Sequence, residues 1–79
     1  MTTTEAIQSR VRQLCARRGL SIQDLAELTG LSKKTLRNLT AGGPDIPAPK
    51  LNTIIAICSG LQVTLGAFFA SSYFQDLED

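Results

Sequence analysis

The chain has 79 residues, with eight Lys or Arg, seven Asp or Glu, two Cys and no His, and a formal net charge of +1. That length holds one small domain with little core to spare, and two distant cysteines in a chain without histidine make neither a zinc box nor a disulfide framework. No stretch reaches the roughly 18 apolar residues of a membrane span, and the start, Met1-Thr2-Thr3-Thr4-Glu5, lacks the basic and apolar parts of a signal peptide, so the chain reads as soluble and cytoplasmic.

Ser, Thr, Gly and Pro divide the chain into five helical segments. The first spans about residues 5–18. Thr2 and Glu5 stand at capping-box spacing, Ile7, Val11, Leu14 and Cys15 form one apolar stripe, and Gly19 suits a left-handed stop. The second spans about 22–29, with Ser21 as N-cap, Asp24 near the positive helix end, Leu25 and Leu28 facing inward, and Gly30 as stop. The third runs from Lys33 to about Ala41 behind an N-cap at Ser32. The fourth is expected to begin near Pro49 and end at Gly60, burying Leu51, Ile54, Ile55, Cys58 and Leu61. The fifth follows Thr64 and carries Leu65, Phe68 and Phe69. No segment alternates apolar and polar residues beside hairpin turns, so the fold class is all-α. Cys15 and Cys58, both at apolar positions, read as buried free thiols.

The third segment divides its faces sharply. At about 100° per residue, Leu36 and Leu39 lie on one side, while Lys33, Lys34, Arg37 and Asn38 share an arc of roughly 140° on the other. Cations neutralise phosphate and donate to guanine, and an asparagine amide pairs with adenine. A solvated polar face has the same appearance. The segment before it adds the context: Ala26 permits a close helix crossing, Gly30 a tight turn, and Leu25, Leu31, Leu36 and Leu39 close the pair. This is the spacing of a helix-turn-helix at about residues 21–40. All eight basic residues fall in residues 1–50, which carry +4, whereas residues 51–79 carry −3; any polyanion would meet the first part.

The stretch RVRQLCARRGLSIQDLAELTGLSKKTLRNL and the later PKLNTIIAICSGLQVTLGAFF resemble the Cro/repressor (XRE-type) helix-turn-helix family over about residues 7–69. The resemblance implies a five-helix, lambda-repressor-like DNA-binding domain over residues 5–69, often dimeric, that binds operator DNA as a transcriptional regulator. By position, it implies that Ser32 meets a phosphate, that Lys33, Lys34 and Asn38 read base edges, and that Thr35 and Arg37 support them. Ser21 and Gln23 would approach a phosphate at the start of the second helix, and Lys50 at the start of the fourth. Three departures stand out. Ile22 replaces a glutamine the family often uses on phosphate. Cys15 and Thr40 stand together where the family often pairs an arginine with a glutamate. The loop Gly42-Gly43-Pro44-Asp45-Ile46-Pro47-Ala48 is longer than usual and carries no base.

The leading expectation is sequence-specific binding of double-stranded DNA, in the role of a repressor; the alternative is a protein-interaction module that reuses the fold without reading DNA. Catalysis is the poorest reading, for want of a histidine or a Ser-centred glycine elbow, and no cofactor, metal or small-molecule ligand is implied. Residues 70–79 form a short C-terminal extension. If the fifth helix continues into it, Phe69, Ala70, Tyr73, Phe74 and Leu77 fall on one side. Such a tail either packs on its own core or builds a homodimer through Phe69, Tyr73, Phe74 and Leu77; the expectation favours the homodimer.

Overall fold

Side-chain caps decide where the helices begin. The computed structural model describes residues 1–42 and 45–79 and contains helices α1 (Thr3–Arg18), α2 (Ile22–Thr29), α3 (Lys33–Ala41), α4 (Leu51–Leu61) and α5 (Leu65–Phe69), then a 3-10 turn at Ser72–Phe74. Thr2 Oγ1 accepts from the Glu5 amide at 3.2 Å while the Glu5 carboxylate accepts from the Thr2 amide at 2.9 Å. Ser21 and Asp24 repeat this reciprocal pair at the start of α2, at 3.1 and 2.9 Å. Ser32 and Thr64 cap α3 and α5 with single bonds to the Thr35 and Ala67 amides. Each such cap contributes about 1 kcal/mol. Gly19 and Gly30, at φ 62° and 74°, turn the chain out of α1 and α2.

The core draws from every helix: Ile7, Val11 and Leu14 of α1, Leu25 of α2, Leu36 and Leu39 of α3, Ile54, Ile57, Cys58 and Leu61 of α4, and Phe68 of α5. α2 packs on α3 and α4, α1 packs on α3, and α4 packs on α5. The architecture is the all-α, five-helix one expected, and no strand forms among the described residues.

Four expectations are corrected. Leu28 is 50% exposed, because α2 turns Ile22, Leu25 and Ala26 inward and Leu28 lies to one side of that stripe. On α4 the packed stripe is Ile54–Ile57–Cys58–Leu61; Leu51 stands before it at the first helical position and Ile55 beside it, leaving them 60% and 46% exposed. α4 does not start at Pro49 or stop at Gly60: Lys50 is the N-cap, the helix passes Gly60, and Gln62 makes the left-handed turn at φ 58°. α5 does not continue past Phe69. Ser71 takes up the Tyr73 amide with its own hydroxyl at 3.2 Å, which starts the 3-10 turn in place of helix.

The turn packs on α1 and brings the tail back to the start of the chain. Asp79 accepts from the amide and hydroxyl of Thr3 at 3.0 and 2.9 Å, and the Glu78 amide donates to the Met1 carbonyl at 3.2 Å. Phe74 joins Phe68 and Phe69 in an aromatic cluster, with ring centroids 4.9 to 6.1 Å apart.

Candidate nucleic-acid interface

The turn between α2 and α3 is fixed from within. The Gly30 amide donates to the Ala26 carbonyl at 2.9 Å. Thr29 Oγ1 donates to the Leu25 carbonyl at 2.7 Å and accepts from the Leu31 amide at 3.2 Å, so one hydroxyl ties the end of α2 to the turn. Ser32 then opens α3, its hydroxyl also donating to Thr35 Oγ1 at 2.9 Å. With Leu36 and Leu39 drawn into the core, Lys33, Lys34, Arg37 and Asn38 are all left exposed. Among the described residues none of these four side chains is held by a hydrogen bond or ion pair, so the face is open to a ligand.

The other expected residues are arranged less simply. Ser21 is exposed, but its hydroxyl is engaged as the α2 cap. Gln23 is exposed and its amide donates to Glu27 one turn on, at 2.9 Å. Thr35 is half-buried; Lys50 is exposed at the start of α4. Thr35 and Asn38 line a cleft of about 140 Å³ whose other walls are Leu39, Ile46, Pro47, Ala48, Pro49 and Thr53. Nothing in the sequence pattern marks that cleft, since it forms between α3 and a segment without regular structure. Of the base-free loop, Gly43 and Pro44 lie outside the described residues.

The basic charge of the first fifty residues is divided in a way that composition conceals. Three arginines of α1 donate to carbonyls at the ends of three other helices. Arg10 reaches the Ala67 and Phe68 carbonyls of α5, each at 2.8 Å; Arg12 reaches the Thr40 carbonyl of α3 at 2.9 Å; Arg18 reaches the Leu61 carbonyl of α4. Cations there complement the negative ends of the helix dipoles. These guanidinium groups hold the fold together, and the open cations of the helix-turn-helix are Lys33, Lys34 and Arg37.

Cys15 and Thr40 are both half-buried, and Arg12, one turn earlier on α1, makes the bond that joins α1 to Thr40. Cys15 and Cys58 are free thiols. Burial pushes both upward from the ordinary thiol range, opposed more weakly by Arg18 and Arg10 respectively, which leaves them poor nucleophiles.

No helix among the described residues is long and apolar enough to cross a membrane. No curated protein and no solved structure matches the chain. The family model described as the Cro/C1-type HTH DNA-binding domain matches residues 10–70, from the middle of α1 to the end of α5. A polar helix face set by a tight turn against a leucine-packed core therefore stands within a chain that belongs to the Cro/C1-type helix-turn-helix DNA-binding domain family.

Proposed function

We propose that the protein reads a specific sequence of double-stranded DNA with α3 in the major groove and represses transcription from that site. The observation that carries this reading is the open face of Lys33, Lys34, Arg37 and Asn38, backed by buried Leu36 and Leu39. Lys33, Lys34 and Asn38 are assigned to base edges, Arg37 and Thr35 to their support, and Ser32 to a phosphate. Ser21, Gln23 and Lys50 are assigned to the flanking backbone, Gln23 by leaving Glu27. Selection of bound duplexes from a random pool tests the reading: recovery of a defined motif supports it, and equal retention of all sequences overturns it. Loss of that motif's binding in the Lys33, Lys34, Arg37 triple alanine variant assigns the face.

A homodimer would set two copies of α3 roughly 34 Å apart on a near-palindromic site. We place its interface on α5 and the tail, where Phe69 and Leu77 remain exposed beside Tyr73 and Phe74. The alternative, a protein-interaction module without DNA readout, is favoured by exposed Leu51 and Ile55 on α4. A salt-sensitive shift with duplex DNA separates the two readings.

A further inference from the structure

Arg12 leaves α1 and ends against the last turn of α3. Its Nη1 donates to the Thr40 carbonyl at 2.9 Å and its Nη2 to Ser9 Oγ at 3.1 Å. Carbonyls in the last turn of a helix have no partner within that helix. At the ends of α1, α2 and α4 a left-handed residue returns its amide to such a carbonyl. α3 ends differently: Gly42 takes φ 76° and ψ 170°, outside the left-handed helical region, and the last turn of α3 holds no basic residue. Among the described residues, the cap and the complementary charge at the end of α3 both come from α1.

A second group lies at the same place. Gln8, one turn before Arg12, is 1% exposed, and its Nε2 meets no acceptor among the described residues. A Cβ on Gly42 would stand 3.2 Å from Arg12 Nη1 and 3.9 Å from Gln8 Oε1. The polar side of α1 thus closes on the chain where α3 ends, with tight space beside Arg12 and a positive φ at Gly42 that suits a residue without a side chain.

We propose that Arg12 is the positioning residue of the recognition helix: by holding the Thr40 carbonyl it fixes the last turn of α3, and so the placement of Asn38 against its base edge and of Arg37 in support of it. The inference rests on the DNA-reading function proposed above. Asn38 stands two residues before Thr40, so a frayed last turn displaces it first. Hydrogen bonds to base edges weaken steeply with misalignment, whereas attraction of cations to phosphate tolerates it. Loss of Arg12 therefore lowers specific binding more than non-specific binding. The bond needs no acidic partner, which is why α1 and α3 can be joined with Cys15 and Thr40 in place of an ion pair.

Arg12→Gln tests the proposal beside Arg18→Gln, which removes a comparable bond at the end of α4. Two quantities are read: hydrogen exchange of the α3 last-turn amides, and the affinity ratio between the selected duplex and a random one. In Arg12→Gln we expect exchange to quicken and the ratio to fall, each on the order of tenfold, with the salt slope unchanged. Arg12→Lys should recover part of both, and Arg18→Gln should change neither. Wild-type exchange and an unchanged ratio in folded Arg12→Gln overturn the proposal. So does a salt slope reduced by about one unit, which would make Arg12 a phosphate contact. If Arg12→Gln does not fold, Arg12→Lys and Ser9→Ala carry the same comparison, and wild-type values in both overturn the proposal. If the wild-type protein prefers no duplex, the DNA-reading function fails separately, and exchange alone decides the role of Arg12.

Discussion

Gly60 of α4 lies against the backbone of Leu28 at the end of α2: a Cβ placed on Gly60 would stand 2.7 Å from the Leu28 carbonyl oxygen and 2.8 Å from Thr29 Cγ2. The first contact is with backbone and cannot be relieved by a rotamer change. Gly60→Ala must push α2 and α4 apart at their packed face, and we expect a loss of about 1–3 kcal/mol in chemical denaturation. Gly66 of α5 is the internal comparison, since the nearest atom to its added Cβ is Thr64 Oγ1 at 3.9 Å and its φ is not positive. Gly66→Ala should stabilise by about 0.5–1 kcal/mol through helix propensity. Equal effects at the two positions would refute the close approach of α2 and α4.

Three carboxylates, Glu5, Asp24 and Asp79, sit on backbone amides at the starts of α1 and α2. Bonds from the Thr2, Ser21 and Thr3 amides respectively, followed by the neighbouring hydroxyls, hold each below the ordinary carboxylate range. A carboxylate with a lower pKa in the folded state binds fewer protons there than in the unfolded chain. Its contribution is therefore complete above the unfolded value and is lost as pH falls through the folded one. Stability should decline below about pH 4, where unperturbed carboxylates begin to protonate. Asp24→Asn should begin less stable at neutral pH and decline less steeply. Parallel wild-type and Asp24→Asn profiles between about pH 5 and pH 3 would exclude the cap as a source of the acid sensitivity.

What the sequence made legible was set by local chemistry. Caps at Thr2, Ser21, Ser32 and Thr64, and glycine turns at Gly19 and Gly30, depend on a few neighbouring residues and stand where spacing puts them. The split between Leu36 or Leu39 and the polar face of α3 is likewise a property of one short helix. Gly60 reads as a stop from its residue type, yet its role is set by a helix about thirty positions away. Arg10, Arg12 and Arg18 count in the sequence only toward the basic charge of the first fifty residues, because their carbonyl partners lie between 28 and 58 residues distant. The tail pattern fits an amphipathic helix, and the hydroxyl of Ser71, which takes up the Tyr73 amide, decides against it.

The open face of α3 separates two kinds of contact by their response to salt. Arg37→Ala is expected to weaken preferred and random duplexes alike and to lower the salt slope by about one unit if the guanidinium lies on a phosphate. Asn38→Ala carries no charge change, so its slope should match wild type while affinity for the selected site falls by about 1–3 kcal/mol and base preference relaxes at one position. Titrations at three or more salt concentrations give both quantities. An Asn38→Ala variant that loses affinity equally on every duplex would move Asn38 from base reading to the cleft it shares with Thr35 and Pro47.

Phe74 decides between two uses of the tail. Its ring stands 6.1 Å from buried Phe68 and 4.9 Å from half-exposed Phe69, so part of the apolar surface of the tail is already spent within one chain. Phe74→Ala should cost about 1–3 kcal/mol in stability, less than for a fully buried ring, whatever the oligomeric state. Leu77 differs: it remains 38% exposed, close to the contacts of Glu78 and Asp79 with the start of α1. Leu77→Asp should leave the fold intact, because little is buried there to lose. If the tail helps to form the proposed homodimer, light scattering at micromolar concentration should give a dimer for the wild-type chain and a monomer for Leu77→Asp. That variant should then bind a single half-site as tightly as wild type, and a two-half-site duplex less tightly, since the gain from joining two sites is lost. A wild-type monomer, free and on a two-half-site duplex, would leave the tail as a strap that covers Phe68 and returns to Thr3, and would remove the dimer.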